Sequence, residues 1–144
     1  PHITVIYRSR PKEEFHVPAA DLSSLCQDFE PFEIELAQFR FFGHSRDKYT
    51  LWLAPEPESQ LVDLQSAFLR IVPDCNEVNL FPSGFTPHLS VGQVRGQSKM
   101  AKLLQELQQN WKTLSFVVRE TSLIWRNDPP DDVFRVAYKV LLKG

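Results

Sequence analysis

The sequence has little of what marks a membrane, secreted or metal-rich protein. No apolar run approaches the roughly 18 residues that suggest a membrane span, and the opening residues do not read as a signal peptide. Cysteine is scarce: Cys26 and Cys75 sit far apart in unrelated contexts and form neither a metal-ligand spacing nor a disulfide framework. A reducing, intracellular setting, cytoplasmic or nuclear, is therefore expected. An excess of either charge is missing too. Sixteen Lys and Arg against eighteen Asp and Glu leave a net charge of −2, which argues against a domain that grips long nucleic acid through a broad basic patch. A local pocket for a short or terminal phosphate stays open. His16 and His44 lack a second ligand at useful spacing, and no Asp/Glu cluster resembles a two-metal site, so neither a metal nor a cofactor is expected.

The 144 residues suit one domain with a sizeable core. Aromatics are plentiful, with eleven Phe, three Trp and three Tyr. A short repeat also stands out. Residues 1–5 read Pro1-His2-Ile3-Thr4-Val5, and residues 87–91 read Pro87-His88-Leu89-Ser90-Val91. Both are Pro-His-aliphatic-hydroxyl-Val, and they hold two of the four histidines in the chain.

The segments after the two copies match as well. Behind the first come a short helix near Ala19 to Asp28 and two strand-like runs, Glu33 to Phe42 and Lys48 to Ala54. Ile34 and Leu36 occupy one parity and Phe39 and Phe41 the other, which a bulge near Ala37 or Gln38 reconciles. Behind the second, Met100, Leu103, Leu104, Leu107 and Trp111 recur at helical spacing, with Ser98 as the expected N-cap. Strands over Leu114 to Trp125 and Val133 to Leu142 come next, joined by the turn Asn127-Asp128-Pro129-Pro130. A helix bearing Leu61, Leu64, Phe68 and Ile71 links the halves, with Pro57 in its first turn and Pro73 stopping it. The reading is a single α+β domain over residues 1–144: lobe one about 1–56, lobe two about 86–144, and a linking helix and loop over 57–85.

On a strand, residues i and i+2 share a face, so His2 projects with Thr4 and His88 with Ser90. If a rough two-fold axis relates the lobes, the two faces meet across a cleft. Imidazole titrates near pH 6.5, so one histidine serves as general base and the other as general acid near neutrality. Hydroxyls on Thr4 and Ser90 donate to phosphate oxygens without adding charge. Which histidine is acid and which is base stays open at this stage. A lone strand histidine is usually structural; two in matching contexts argue for chemistry.

These paired motifs, Pro-His-Ile-Thr and Pro-His-Leu-Ser, resemble the two H-x-T/S signatures of the 2H phosphoesterase superfamily. That group includes 2′-5′ RNA ligase-like proteins and cyclic phosphodiesterases. The run Phe85-Thr86-Pro87-His88-Leu89-Ser90-Val91-Gly92-Gln93 is similar to the second motif of the ligase-like branch. The resemblance implies a bilobal, pseudo-two-fold arrangement of antiparallel sheets with flanking helices around a central cleft. It also implies metal-independent chemistry on RNA-type phosphodiesters, with His2 and His88 as catalytic residues and Thr4 and Ser90 as phosphate ligands. Members of the superfamily usually carry a strand and helix before the first motif, and this chain starts at it; the expectation is that an upstream strand and helix have been left out or that another chain or domain supplies them.

The expected function is hydrolysis of a 2′,3′-cyclic phosphate or a related bond, on an RNA 3′ end or a small nucleotide. The alternative is a non-catalytic module that binds a nucleotide or RNA end within a larger protein. Three further residues are weaker substrate-binding candidates. Arg8 comes next on the first motif face, Phe85 stands before the second motif and is equally suited to the core, and Trp125 lies beside the last turn. Phe41, Phe42, Tyr49 and Trp52 read as core or inter-strand contacts.

Overall fold

The computed structural model describes residues 1–7, 11–77 and 84–144. Along the chain it forms α1 (His16–Cys26), β1 (Phe32–His44), β2 (Lys48–Glu56), α2 (Ser59–Ile71), β3 (Leu89–Arg95), α3 (Gln97–Asn110), β4 (Leu114–Val118), β5 (Glu120–Trp125) and β6 (Arg135–Leu141). The protein is α+β with antiparallel sheets, as the hydrophobic patterning predicts. Its residues group into two compact units that cut across the sequence halves. One comprises Pro1–Val5, Ile34–Val62 and Thr86–Phe116, so it contains both motifs; the other comprises Ile6–Glu33, Asp63–Phe85 and Val117–Gly144.

In the first unit, β2 is the hub. It pairs antiparallel with β1 on one side and β3 on the other, in a four-stranded sheet of order β3-β2-β1-β4. The parity switch in β1 is a bulge: Leu36 faces Pro55, Gln38 faces Ala54, and Ala37 is the extra residue. Leu36, Phe39 and Leu53 are buried on one face, and Leu89, Leu104, Leu107 and Trp111 pack against them. Helix α3 thus presents the apolar stripe read from its spacing, although Leu103 stays exposed.

The bulge has a polar cost that α3 offsets. A bulged strand leaves peptide groups out of its ladder, and these need partners when buried. The Phe39 N–H donates to Gln108 Oε1 at 2.8 Å, and Gln108 Nε2 donates to the Ala37 carbonyl at 3.0 Å. Trp111 Nε1 donates to the Leu36 carbonyl at 2.7 Å. Gln108→Ala is expected to cost about 1–3 kcal/mol, because it strands the Phe39 N–H in a buried setting. Urea unfolding measures it; a loss within error of zero would mean the bulge is satisfied otherwise.

The cap of α3 differs from expectation. The helix starts at Gln97, so Ser98 lies inside its first turn and Gly96 holds the cap position without a side-chain cap bond. Gly96 sits at φ 100°, in a region that favours glycine, and its N–H donates to the Asp47 carbonyl at 2.9 Å. The hairpin between β1 and β2 therefore anchors the residue that precedes α3. Helix α2 likewise starts at Ser59, which leaves Pro57 before the helix instead of in its first turn; Pro73 comes after its end as expected.

In the second unit, β5 and β6 form an antiparallel pair. The run Leu114 to Trp125, expected as one strand, breaks at Arg119: β4 joins the four-stranded sheet while β5 pairs with β6. The Arg119 carbonyl accepts from the Leu142 N–H at 2.9 Å, which continues the β5–β6 ladder one residue beyond the Glu120–Leu141 pair. The alternation of the last strand is only partly used, since Val140 and Leu142 are buried while Phe134, Val136 and Tyr138 are exposed. Helix α1 begins at His16, a little earlier than the pattern suggests, and buries Pro18, Leu22 and Cys26. Burial pushes the Cys26 thiol up, against a smaller opposing hydrogen bond with Thr121, so a reactive thiolate is disfavoured there. The turn between β5 and β6 is organised by Asp131. Its carboxylate accepts from Arg135 at 2.8 Å, from the Val133 N–H at 3.1 Å and from Asn127, and these bonds, led by Arg135, hold its pKa at about 2.

Candidate active site

Pro87 is fully buried and delivers the chain into the second motif; a residue preceding proline is biased to extended backbone, which suits Thr86 to the start of a strand. Strand β3 then begins at Leu89. The first motif does not form a strand of its own. It makes one antiparallel bridge, Ile3 to Leu89, and the backbone bends at Val5 and Ile6. The continuation of the motif face through Ile6 to Arg8 is therefore not formed: Ile6 belongs to the second unit, and Arg8 lies outside the described residues.

That single bridge sets the geometry of the site. In an antiparallel pair, a step forward on one strand is a step back on the other. With Ile3 opposite Leu89, His2 comes opposite Ser90 and Thr4 opposite His88. A local two-fold axis through the bridge exchanges His2 with His88 and Thr4 with Ser90. Alternation puts all four side chains on the face opposite Ile3 and Leu89, and Leu89 packs on the core. The two histidines are diagonal neighbours, about 7–8 Å apart at the backbone.

The ring nitrogens are not equivalent. His88 Nδ1 lies 2.8 Å from the Thr86 carbonyl. A carbonyl only accepts, so Nδ1 carries a proton and Nε2 is the nitrogen left to exchange one. His2 is exposed, yet its pKa is lowered, first by partial burial, then by the charge of the terminal amine and by His88. The contribution of His88 to the lowering at His2 is the electrostatic counterpart of their proximity. His16 and His44 are engaged elsewhere: His16 Nδ1 donates to the Glu13 carbonyl at 3.0 Å, and His44 Nε2 bonds the Thr50 hydroxyl at 2.8 Å.

Two aromatic residues that the sequence assigned to inter-strand contacts also reach the site. Trp52 is the cross-strand partner of Ser90. Its ring stacks on Phe42, with centroids 4.7 Å apart and planes at 24°. Both rings meet His88 edge to face, Phe42 at 5.1 Å and Trp52 at 5.9 Å. The β-strand alternation of β2 contained this signal, because Trp52 and Leu53 must face opposite sides; the sequence did not tell which side carried the histidine. Phe85 is half-buried and Trp125 is flanked by Lys12 and Arg135, and both belong to the second unit.

The chain thus has an α+β fold in which two Pro-His-aliphatic-hydroxyl segments are joined in antiparallel register. Residues 1–130 match the profile of the 2′-5′ RNA ligase superfamily, and the chain belongs to that superfamily. It is 33% identical over 104 residues to a protein named RNA 2′,3′-cyclic phosphodiesterase from Methanothermobacter thermautotrophicus (strain Delta H), an alignment covering 66% of this chain and 52% of the relative. The chain thus spans about half the length of that curated relative. The crystal structure of TT0787 of Thermus thermophilus shares the fold, with a TM-score of 0.64 at 20% identity over 99% of this chain and 78% of that one. Among the described residues, no helix is long and apolar enough to cross a membrane.

Proposed function

We propose that the chain is a metal-independent phosphodiesterase that hydrolyses a 2′,3′-cyclic phosphate on an RNA end or a small nucleotide. The observation that carries this reading is the Ile3–Leu89 bridge, which sets His2, Thr4, His88 and Ser90 around a local two-fold axis. The superfamily supports phosphoesterase chemistry. The name of the archaeal relative favours a cyclic phosphate as substrate.

The depressed pKa of His2 favours its neutral form, so His2 takes the role of general base. It removes a proton from water, whose oxygen attacks phosphorus. The bond from phosphorus to one ribose oxygen breaks, and His88 delivers its Nε2 proton to that oxygen. Thr4 and Ser90 donate hydrogen bonds to the non-bridging oxygens and stabilise the charge that builds there. The same pair of protonation states resets when a proton passes from His2 back to His88 through solvent.

The assignment has a consequence for pH. Activity needs His2 neutral, and its pKa lies below the ordinary 6.5. The acid limb of kcat/KM is therefore expected below pH 6.5, so activity rises as pH rises through that depressed value. If His2 were instead the acid, the same shift would place an alkaline limb below pH 6.5, with activity falling as pH rises through it. A profile of kcat/KM between pH 4 and 9 separates the two assignments.

The direct test is incubation, with EDTA present, of nucleoside 2′,3′-cyclic monophosphates and a short RNA ending in a cyclic phosphate. Turnover under chelation supports the proposal, and the product isomer shows which bond opens. Specific binding without any turnover would favour the non-catalytic module instead.

A further inference from the structure

We infer that Trp52 and Phe42 are positioning residues for the His88 imidazole, an inference that rests on the catalytic reading of His88. Three rings from three adjacent strands or their leads form a closed set: Trp52 on β2, Phe42 on β1 and His88 immediately before β3. Every pair within the set is in contact, at 4.7 Å for Phe42–Trp52, 5.1 Å for Phe42–His88 and 5.9 Å for Trp52–His88. The two contacts to the imidazole are steep, at 89° and 66°, the edge-to-face arrangement that aromatic quadrupoles favour. The Arg40 guanidinium lies 5.9 Å from the Trp52 ring centroid, and Arg40 is the cross-strand partner of Trp52, so the indole has a cation beside it as well.

Hydrogen bonding does not explain why Trp occupies position 52. The residue is only 4% exposed, and its Nε1 is buried with no hydrogen-bond partner among the described residues. An unsatisfied indole N–H is unfavourable in such a setting, and a plain hydrocarbon would avoid it. What the ring provides is shape: a rigid, flat wall next to the imidazole. Thr86 restrains His88 through one hydrogen bond at Nδ1, which leaves the ring free to swing about that contact. The Trp52 and Phe42 walls remove that freedom. Nε2 is then held where a leaving oxygen between the two motifs meets it, and no reorientation is needed in the transition state.

Loss of the wall acts on the chemical step and not on substrate binding. Trp52→Leu is expected to lower kcat by about 10- to 100-fold, since small misplacements of a reacting group carry penalties of that order. KM should stay within about twofold. Phe42→Leu should act in the same direction, and Trp52→Phe, which keeps a flat ring, should recover most of the activity.

The test measures kcat and KM of these three variants on a nucleoside 2′,3′-cyclic monophosphate, with circular dichroism establishing that each is folded. The ring-proton NMR resonances of His88, assigned by their loss in His88→Asn, are followed in parallel. Resonances that move in Trp52→Leu and Phe42→Leu, with a kcat loss that Trp52→Phe recovers, support the inference. Unchanged kcat in folded Trp52→Leu, a Trp52→Phe variant as impaired as Trp52→Leu, or His88 resonances that stay in place would each overturn it. If Trp52→Leu fails to fold, Phe42→Leu and Trp52→Phe carry the same comparison. Should His88→Asn itself retain full activity, the catalytic reading fails by a separate result.

Discussion

Replacing either His2 or His88 with Ala is expected to lower kcat by about 10²–10⁴-fold, the usual contribution of one general acid or base. Each variant removes one of the two proposed proton transfers and leaves Thr4 and Ser90 in place, so KM should change far less than kcat. The two losses should not multiply. Acid and base act on one transition state, and the double variant should fall little below the worse single one, as catalytic groups that work as a unit do. Stability should barely respond to His2→Ala, because His2 is exposed and the first motif is tied to the sheet through the Ile3–Leu89 bridge. Steady-state kinetics in EDTA, with thermal unfolding as control, measures both. Near-wild-type turnover in a folded His2→Ala or His88→Ala protein would end the two-histidine mechanism.

Trp111→Ala should be among the most destabilising single changes, at about 3–5 kcal/mol for truncation of a packed indole. Three contributions meet at this residue. Its ring packs against the Leu36, Phe39 and Leu53 cluster. It meets Phe39 edge to face at 5.3 Å and 81°. Its Nε1 donates to the Leu36 carbonyl beside the bulge. Trp111→Phe separates them: it keeps an aromatic ring and loses the hydrogen bond, and should cost about 1–3 kcal/mol, the penalty of an unsatisfied buried carbonyl. Urea denaturation midpoints of the two variants supply the comparison. Equal losses would mean that the hydrogen bond, not the packing, dominates.

The motif residues were legible because chemistry and periodicity coincide in them. A Pro-His-aliphatic-hydroxyl-Val run repeated 86 residues apart, at Pro1 and Pro87, declares its histidines and hydroxyls without reference to a fold. The parity change in β1 was equally readable, since only an extra residue lets Leu36 and Phe39 enter one core. The apolar stripe of α3 and the stop at Pro73 came from local rules for the same reason. Gln108 was not legible. Its role depends on which peptide groups the bulge leaves without partners and on which turn of α3 passes over them, and neither is a property of its neighbours in sequence. Trp52 and Phe42 were read as core or inter-strand contacts, and they do stack on each other across β1 and β2, but their contact with His88 needed the register of three strands. The cap at Gly96 escaped for a similar reason, because it answers to Asp47, far away in the chain.

The sequence by itself determined the α+β class and most of the element types, and it singled out His2, Thr4, His88 and Ser90 as candidates, since helical and strand periodicity and side-chain donor capacity are local quantities. Tertiary structure decided how the two motifs meet. Antiparallel pairing of Ile3 with Leu89 gives a dyad that sets each histidine beside the other motif's hydroxyl, and a shift of one residue would have turned one motif's pair to the opposite face. It also decided the hydrogen bonding of the His88 ring, because the Thr86 carbonyl occupies Nδ1. Register and hydrogen-bond partnership are relations between distant segments, and only folding fixes them.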